Sequence, residues 1–378
     1  MTILLTALRF IQYDKAKSIG VTIGIVISTF LIGQQIGIFT FLTSLMSAMV
    51  RNTTADIWIV DMKAINANAL GMLDARVVSE ARSIEGVGHA EPMVIAPAMA
   101  TFQDGTTASV VVIGSEAPHL RAGPKPEDIL DGRRENLLQE NTVSGDYYDR
   151  NLFGGSSEVG TEFEINGRRA VFGAKTNNLR GFGGSLMYTT VERARAYGGL
   201  PSTTINAVLV EVGEGQDPAA VRDRINAAIP NTRAWIAQDL ADSTIEDTLS
   251  NSGIGISTGT LILFALISGF FIIGLTMYSA ALDRIRDYGT LKAIGASGNY
   301  IRGFILTQAF IFSLVGFLIA FVFLEGFRRG SEGSGLVFSF PWYIVAGIFS
   351  VTVLISLGGA VFALRRITKV EPAAVFRA

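Results

Sequence analysis

The chain reads as an α-helical membrane protein with four transmembrane helices and one α+β extracytoplasmic domain. Three observations predict this. Four long apolar runs, roughly Ile19–Leu45, Thr258–Leu282, Gly303–Leu324 and Trp342–Leu364, each supply the ~20 helical residues that cross a ~30 Å hydrocarbon core. Only 17% of the 378 residues are charged and mean hydropathy is +0.40, whereas soluble domains carry about a quarter charged residues. The deficit is confined to those runs, and a long stretch of ordinary polar composition separates the first from the second.

Taken in order, residues 1–18 form an interfacial helix, with Leu4, Leu8 and Ile11 on one face and Thr2, Thr6 and Arg9 on the other. Residues 19–45 are the first span. Arg9, Lys15 and Lys17 precede it as in a signal peptide, but its apolar run exceeds the ~7–15 residues of such a signal and no small-residue cleavage site follows. Orientation follows from basic residues beside the spans. Arg284, Arg286, Lys292, Arg302, Arg365, Arg366, Lys369 and Arg377 fall on the N-terminal side of the membrane, together with the three before the first span. Arg51, Arg328 and Arg329 fall on the other. Both termini are therefore expected in the cytoplasm, with residues 46–252 on the outer side of the membrane.

That outer segment mixes strand and helix patterns. Ala55–Asp61 is rich in β-formers, and Asp74 is placed to cap a helix in which Val77, Val78, Ala81 and Ile84 share a face. Strands at Met93–Phe102 and Thr106–Gly114 flank Asp104-Gly105, a turn dipeptide. Ile205–Val212 reads as a strand, Pro218–Ile229 as a helix and Thr232–Ile236 as a strand. The halves 46–114 and 205–252 thus bracket a β-rich insertion over 115–204, where Thr161–Ile165 and Arg168–Ala174 flank Asn166-Gly167. The remaining parts are the second span (253–282), a cytoplasmic connection (283–300), the third span (301–324), an outer loop (325–341), the fourth span (342–364) and a cytoplasmic tail (365–378).

Several chemistries are excluded. There are no cysteines, hence no disulfide, thiolate nucleophile or cysteine metal site. The net charge of −2 offers no basic field for nucleic acid. No phosphate-binding loop of the G-x-x-x-x-G-K-[ST] type and no G-x-S-x-G elbow occurs, so no catalytic residue is assigned. His89 and His119 stand in no metal-ligand spacing, and no metal site is expected. The span interiors lack ionisable residues, with Gln34, Gln35 and Gln308 the most polar members; this argues against an ion-coupled transporter. Gly20 and Gly24 form one close-packing pair in the first span, and Gly33 and Gly37 another on the opposite face. One face is thereby available for packing within the subunit and the other for a second copy of the chain.

The connection between spans two and three carries the most specific signal. Ile285, Tyr288, Leu291 and Ile294 recur at about one helical turn, with Arg286, Asp287 and Lys292 on the other faces, and Gly295 and Gly298 break the helix before the third span. So short an amphipathic helix requires a protein partner. The stretch Asp287-Tyr288-Gly289-Thr290-Leu291-Lys292-Ala293-Ile294-Gly295-Ala296 resembles the coupling-helix signature of MacB/FtsX-type ABC permeases, closest to the DevC-like branch. The tail, Ala363-Leu364-Arg365-Arg366 followed by Glu371-Pro372-Ala373-Ala374-Val375-Phe376-Arg377, is similar to that family's C-terminal motif. Arg51 to Val60 resembles the start of its outer domain, and Asp287 stands where many members have Glu.

The resemblance implies a permease subunit, not an enzyme, that binds two copies of a separate ATPase and pairs with a second copy of itself. ATP and Mg²⁺ would be used by the ATPase, with no cofactor in this chain. It further implies a porter-like outer domain split by a small β-rich part. A periplasmic adaptor and an outer-membrane channel would complete a tripartite efflux system for glycolipids or other amphiphiles. The insertion is the expected docking part. Lipoprotein extraction and FtsX-like regulation of a cell-wall hydrolase remain open at this stage.

Overall fold

The computed structural model describes residues 3–13, 15–283 and 285–367. The tail motif from Glu371 to Arg377, Lys369, Arg284 and the side chains of Lys292, Arg365 and Arg366 lie outside the described residues. In chain order the helices are α1 (Ile3–Tyr13), α2 (Lys15–Met46), α3 (Ala48–Arg51), α4 (Val77–Arg82), α5 (Val191–Gly198), α6 (Pro218–Ala228), α7 (Ala237–Asn251), α8 (Ile254–Asp283), α9 (Ile285–Ala293), α10 (Gly298–Glu332) and α11 (Trp342–Ile367). The strands are β1 (Ile57–Asp61), β2 (Leu73–Asp74), β3 (Val87–Thr101), β4 (Thr107–Ser115), β5 (Ile129–Gly132), β6 (Thr142–Asp146), β7 (Glu162–Ile165), β8 (Arg168–Thr176), β9 (Ser185–Thr190), β10 (Thr204–Ile205), β11 (Ala207–Val212) and β12 (Thr232–Ile236). The chain divides into a helical unit and a sheet-rich unit that spans 42–255.

In the helical unit, α2, α8, α10 and α11 are each long and apolar enough to cross a membrane. Their lengths follow from unbroken apolar sequence, and small residues set how closely they pack. A side chain at Gly24 would meet Thr276 and Ile272 of α8, one at Gly33 would meet Leu324 of α10, and one at Gly37 would meet Phe338 and Phe340. Both pairs thus already have neighbours within this chain, and only Gly20 faces open space. Within this chain Gly24, Gly33 and Gly37 therefore serve intramolecular packing. Thr29 and Thr352 add a buried hydroxyl–hydroxyl bond of 3.1 Å between α2 and α11.

Two boundaries and one helix face differ from expectation. The third helix begins at Gly298, so that glycine starts the span instead of breaking the helix before it. It also continues to Glu332, well past 324. Arg328 bonds Glu325 and Glu332 at i−3 and i+4, and Arg329 bonds Glu325. Such pairs sustain another two turns of helix. In α1, Ala7 and Ile11 pack inward while Leu4 and Leu8 stay exposed.

In the sheet-rich unit, ten strands form one sheet in the order β12-β1-β11-β3-β7-β8-β5, with β4 joining β3 to β9 and β6 pairing with β8. The alternation along β1 explains its layering. Ile57 and Ile59 enter one buried cluster, and Trp58 and Val60 enter the cluster on the other face. The strand Thr232–Ile236 and the Asn166-Gly167 turn are as predicted, with both turn residues at positive φ (48° and 74°), the geometry that a two-residue hairpin requires. Asp74 does not cap α4. The N-cap position is Arg76; Asp74, two residues earlier, accepts the Arg76 amide at Oδ1 (2.8 Å) and pairs its carboxylate with the Arg76 guanidinium.

The stretch 115–204 is built into this sheet. β9 runs parallel to β4 and β7 pairs with β3. Phe153, Phe163 and Phe172 stack with Phe102 at centroid distances of 5.0–6.4 Å. Removing 115–204 would therefore strip partners and core from the flanking halves.

Asp146, at the end of β6, is fully buried and accepts hydrogen bonds from the Tyr148 amide (3.0 Å), the Leu179 amide (2.8 Å) and the Thr176 hydroxyl (3.0 Å). Burial pushes its carboxyl up from 3.8 to about 6, against the pull of those donors. A raised folded value means the native state holds a proton that the unfolded chain has released between pH ~4 and ~6. Asp146 therefore makes stability fall as pH rises through that window and is level above it. We expect Asp146→Asn to flatten this part of the profile, on the order of 2 kcal/mol at ~1.4 kcal/mol per unit. Thermal melts read through Trp58 and Trp235 fluorescence at steps from pH 4 to 7 would check it; identical slopes in the two proteins would refute it.

Candidate coupling site

The residues singled out between the second and third spans form α9 and the turn after it. Tyr288 is the anchor. It is 3% exposed, its ring meets Phe304 edge-on at 6.4 Å, and its hydroxyl lies 3.4 Å from Gln308 Oε1. Both partners come from α10, one turn apart. Leu291 packs against the same cluster, which includes Met277 of α8 and Ile301 and Ile305 of α10. Gly289 is buried beside Tyr288, and Ile285 is half-buried.

The far end of α9 is closed by backbone geometry. Gly295 takes φ +98°, the Ile294 amide donates to Thr290 O (3.0 Å), and the Ala296 amide donates to Leu291 O (3.0 Å). The left-handed residue and the six-residue bond make a Schellman-type stop, which glycine alone adopts without strain. The expected break at Gly295 is therefore real, and it fixes where Ile294 points.

The apolar stripe does not form one surface. Tyr288 and Leu291 turn into the bundle, while Ile294 is 76% exposed and Arg286, Asp287 and Thr290 are exposed with it. Tyr288 holds α9 in place instead of offering a contact. The physical reason is Gln308 and Phe304, which present a polar acceptor and an aromatic edge at the matching height on α10. That match was not readable from α9 alone. Among the described residues the site contains no acid–base pair or nucleophile; what it offers is a short helix, clamped on one side and exposed on the other.

The family model of the FtsX-like permease C-terminal domain matches residues 259–372, the stretch holding α9, α10 and α11. Over that stretch the chain is similar to the FtsX-like permease domain, and over nearly its whole length it is similar to ABC transporter permeases. It is 25% identical over 394 residues to an uncharacterized ABC transporter permease of Mycobacterium tuberculosis, covering 99% of each chain. A second uncharacterized permease of that organism is 24% identical over 382 residues, again covering 99% of each. The periplasmic region of MacB from Actinobacillus actinomycetemcomitans is similar at 10% identity and TM-score 0.39, over 53% of this chain and 96% of that one. An ABC transporter permease is a transport subunit, not an enzyme, and it works with an ATPase. In this chain α9 lies inside the matched stretch.

Proposed function

We propose that this permease is the membrane subunit of an ATP-driven exporter and that α9 is where a separate ATPase engages it. The observation that carries this reading is the two-sided character of α9. One side is locked by Tyr288 and Leu291, and the other presents Arg286, Asp287 and Ile294. A helix held in this way transmits a push instead of absorbing it. Two ATPase copies, each using ATP and Mg²⁺, would act on a pair of permease chains. The asymmetry of basic residues beside the spans supports cytoplasmic termini in a bacterial plasma membrane and a periplasmic position for the sheet-rich unit.

The size of that unit supports a role in passing the motion to a periplasmic adaptor and an outer-membrane channel. Spans without ionisable side chains in their interiors suit an amphiphilic cargo such as a glycolipid better than an ion-coupled solute. The test is a single cysteine at Ile294, which should cross-link to the ATPase.

A further inference from the structure

We propose that His89, Glu91 and Glu116 in the sheet-rich unit form a binding site for a divalent transition-metal ion of the zinc type. His89 and Glu91 alternate along β3, so their side chains leave the same face. Ser115, the last residue of β4, is the partner of Met93 on β3, which brings Glu116 beside them. One ligand atom from each residue, an imidazole nitrogen and two carboxylate oxygens, lies within 4.8 Å of the others. Donors at ~2.1 Å from a zinc ion stand at most ~4.2 Å apart, so small side-chain rotations close the set.

A second observation points into the same space. Glu91 has no exposed surface, and its Oε2 has no hydrogen-bond partner among the described residues; His89 Nε2 is likewise buried and unpartnered. Buried polar atoms are normally satisfied, and here two that lack partners belong to neighbouring candidate ligands.

The neighbouring arginines do not fill the gap. Arg121 places its backbone amide and its Nε each 3.2 Å from Glu91 Oε1, and its guanidinium also pairs with Glu211. Arg82 donates to Glu116 Oε2 at 2.7 Å, and Arg134 donates to the His119 and Leu120 carbonyls. Glu91 Oε2 and Glu116 Oε1 remain. Three guanidinium groups balance Glu91, Glu116 and Glu211, so affinity must come from the donor set and not from a negative field. A nitrogen with two oxygens suits zinc better than calcium or magnesium, which prefer all-oxygen shells.

Sequence spacing hid this set, because Glu116 lies beyond an entire hairpin from His89. His119 stacks edge-on against His89 at 5.1 Å and is not among the donors.

The test uses tag-free full-length protein in detergent, stripped with chelator and titrated with Zn²⁺. Wild type should bind one ion per chain and melt at higher temperature when loaded. His89→Gln and Glu116→Gln should each weaken binding at least tenfold and lose the thermal shift. Glu162→Gln, on a distant exposed pair, should bind as wild type. His89 is only half-buried, so its variant answers even if a Glu91 variant fails to fold. Absence of a saturable site in wild type, or unchanged affinity in His89→Gln and Glu116→Gln, would overturn the assignment.

Discussion

Tyr288→Ala should release α9 from the bundle while the four spans remain inserted. The ring is 3% exposed and seated on Phe304, and truncating a buried aromatic residue costs about 3 kcal/mol. Among the described residues of α9, Leu291 is the other one packed against the cluster, and it is only partly buried. At ~1.4 kcal/mol per tenfold change, amides of 285–294 should exchange with deuterium about a hundredfold faster than in wild type. Tyr288→Phe keeps the ring and gives up the 3.4 Å contact from the hydroxyl to Gln308, so it should stay within about 1 kcal/mol of wild type. Hydrogen exchange in detergent measures both. Unchanged protection in Tyr288→Ala would mean that α9 is held by something else. Under the proposed function, export should become uncoupled from ATP hydrolysis even where the ATPase still binds.

Gly359→Leu should separate α8 from α11. A Cβ at Gly359 would lie 2.8 Å from Gly274 Cα, 3.3 Å from Gly274 N and 3.5 Å from Ile273 O. These are backbone atoms that no rotamer change can move, so the helices must part. Overpacking of this kind costs about 1–3 kcal/mol even when side chains can yield, and here the loss should reach or exceed the upper figure. The pair is asymmetric: a Cβ at Gly274 meets only Gly359 Cα, at 3.9 Å. Gly274→Ala should therefore be tolerated and Gly359→Ala should not. Gly347→Leu, on the same helix and facing open space, serves as the control. Detergent-solubilised thermal stability reads all four. Equal stability of Gly359→Leu and Gly347→Leu would show that α8 and α11 do not approach here.

These two sites differ in how far the sequence disclosed them. The spans were legible because length and hydropathy suffice, and α9 was legible because its stripe repeats at a helical turn. Which residues of the stripe face the bundle was not, since that depends on Gln308 and Phe304 arriving from another helix. The Gly274–Gly359 contact went unread for a similar reason. It joins single glycines on two helices, with no spacing pattern within either.

In the sheet-rich unit, β1, β12 and the Asn166-Gly167 hairpin were visible from alternation and turn chemistry. Helix α7 was not anticipated, because it packs through Leu240, Ala241, Thr244 and Thr248, and threonine and alanine do not register as an apolar stripe. The stretch 115–204 read as an insertion from its local strand pattern. That β9 lies parallel beside β4 and that Phe102 belongs with Phe153, Phe163 and Phe172 are long-range facts.

The central claim is that a separate ATPase engages the exposed edge of α9. The chain contains no cysteine, so Ile294→Cys provides a single thiol on a residue 76% exposed in the native fold. A short thiol-reactive cross-linker applied to native membranes, followed by mass spectrometry of the adduct, identifies what lies against it. The expected adduct is a polypeptide with a phosphate-binding loop of an ABC ATPase, absent when the thiol is placed instead at Met99, which is 48% exposed in the sheet-rich unit. An Ile294→Cys adduct without an ATPase, or equal ATPase capture from Met99→Cys, would contradict the account.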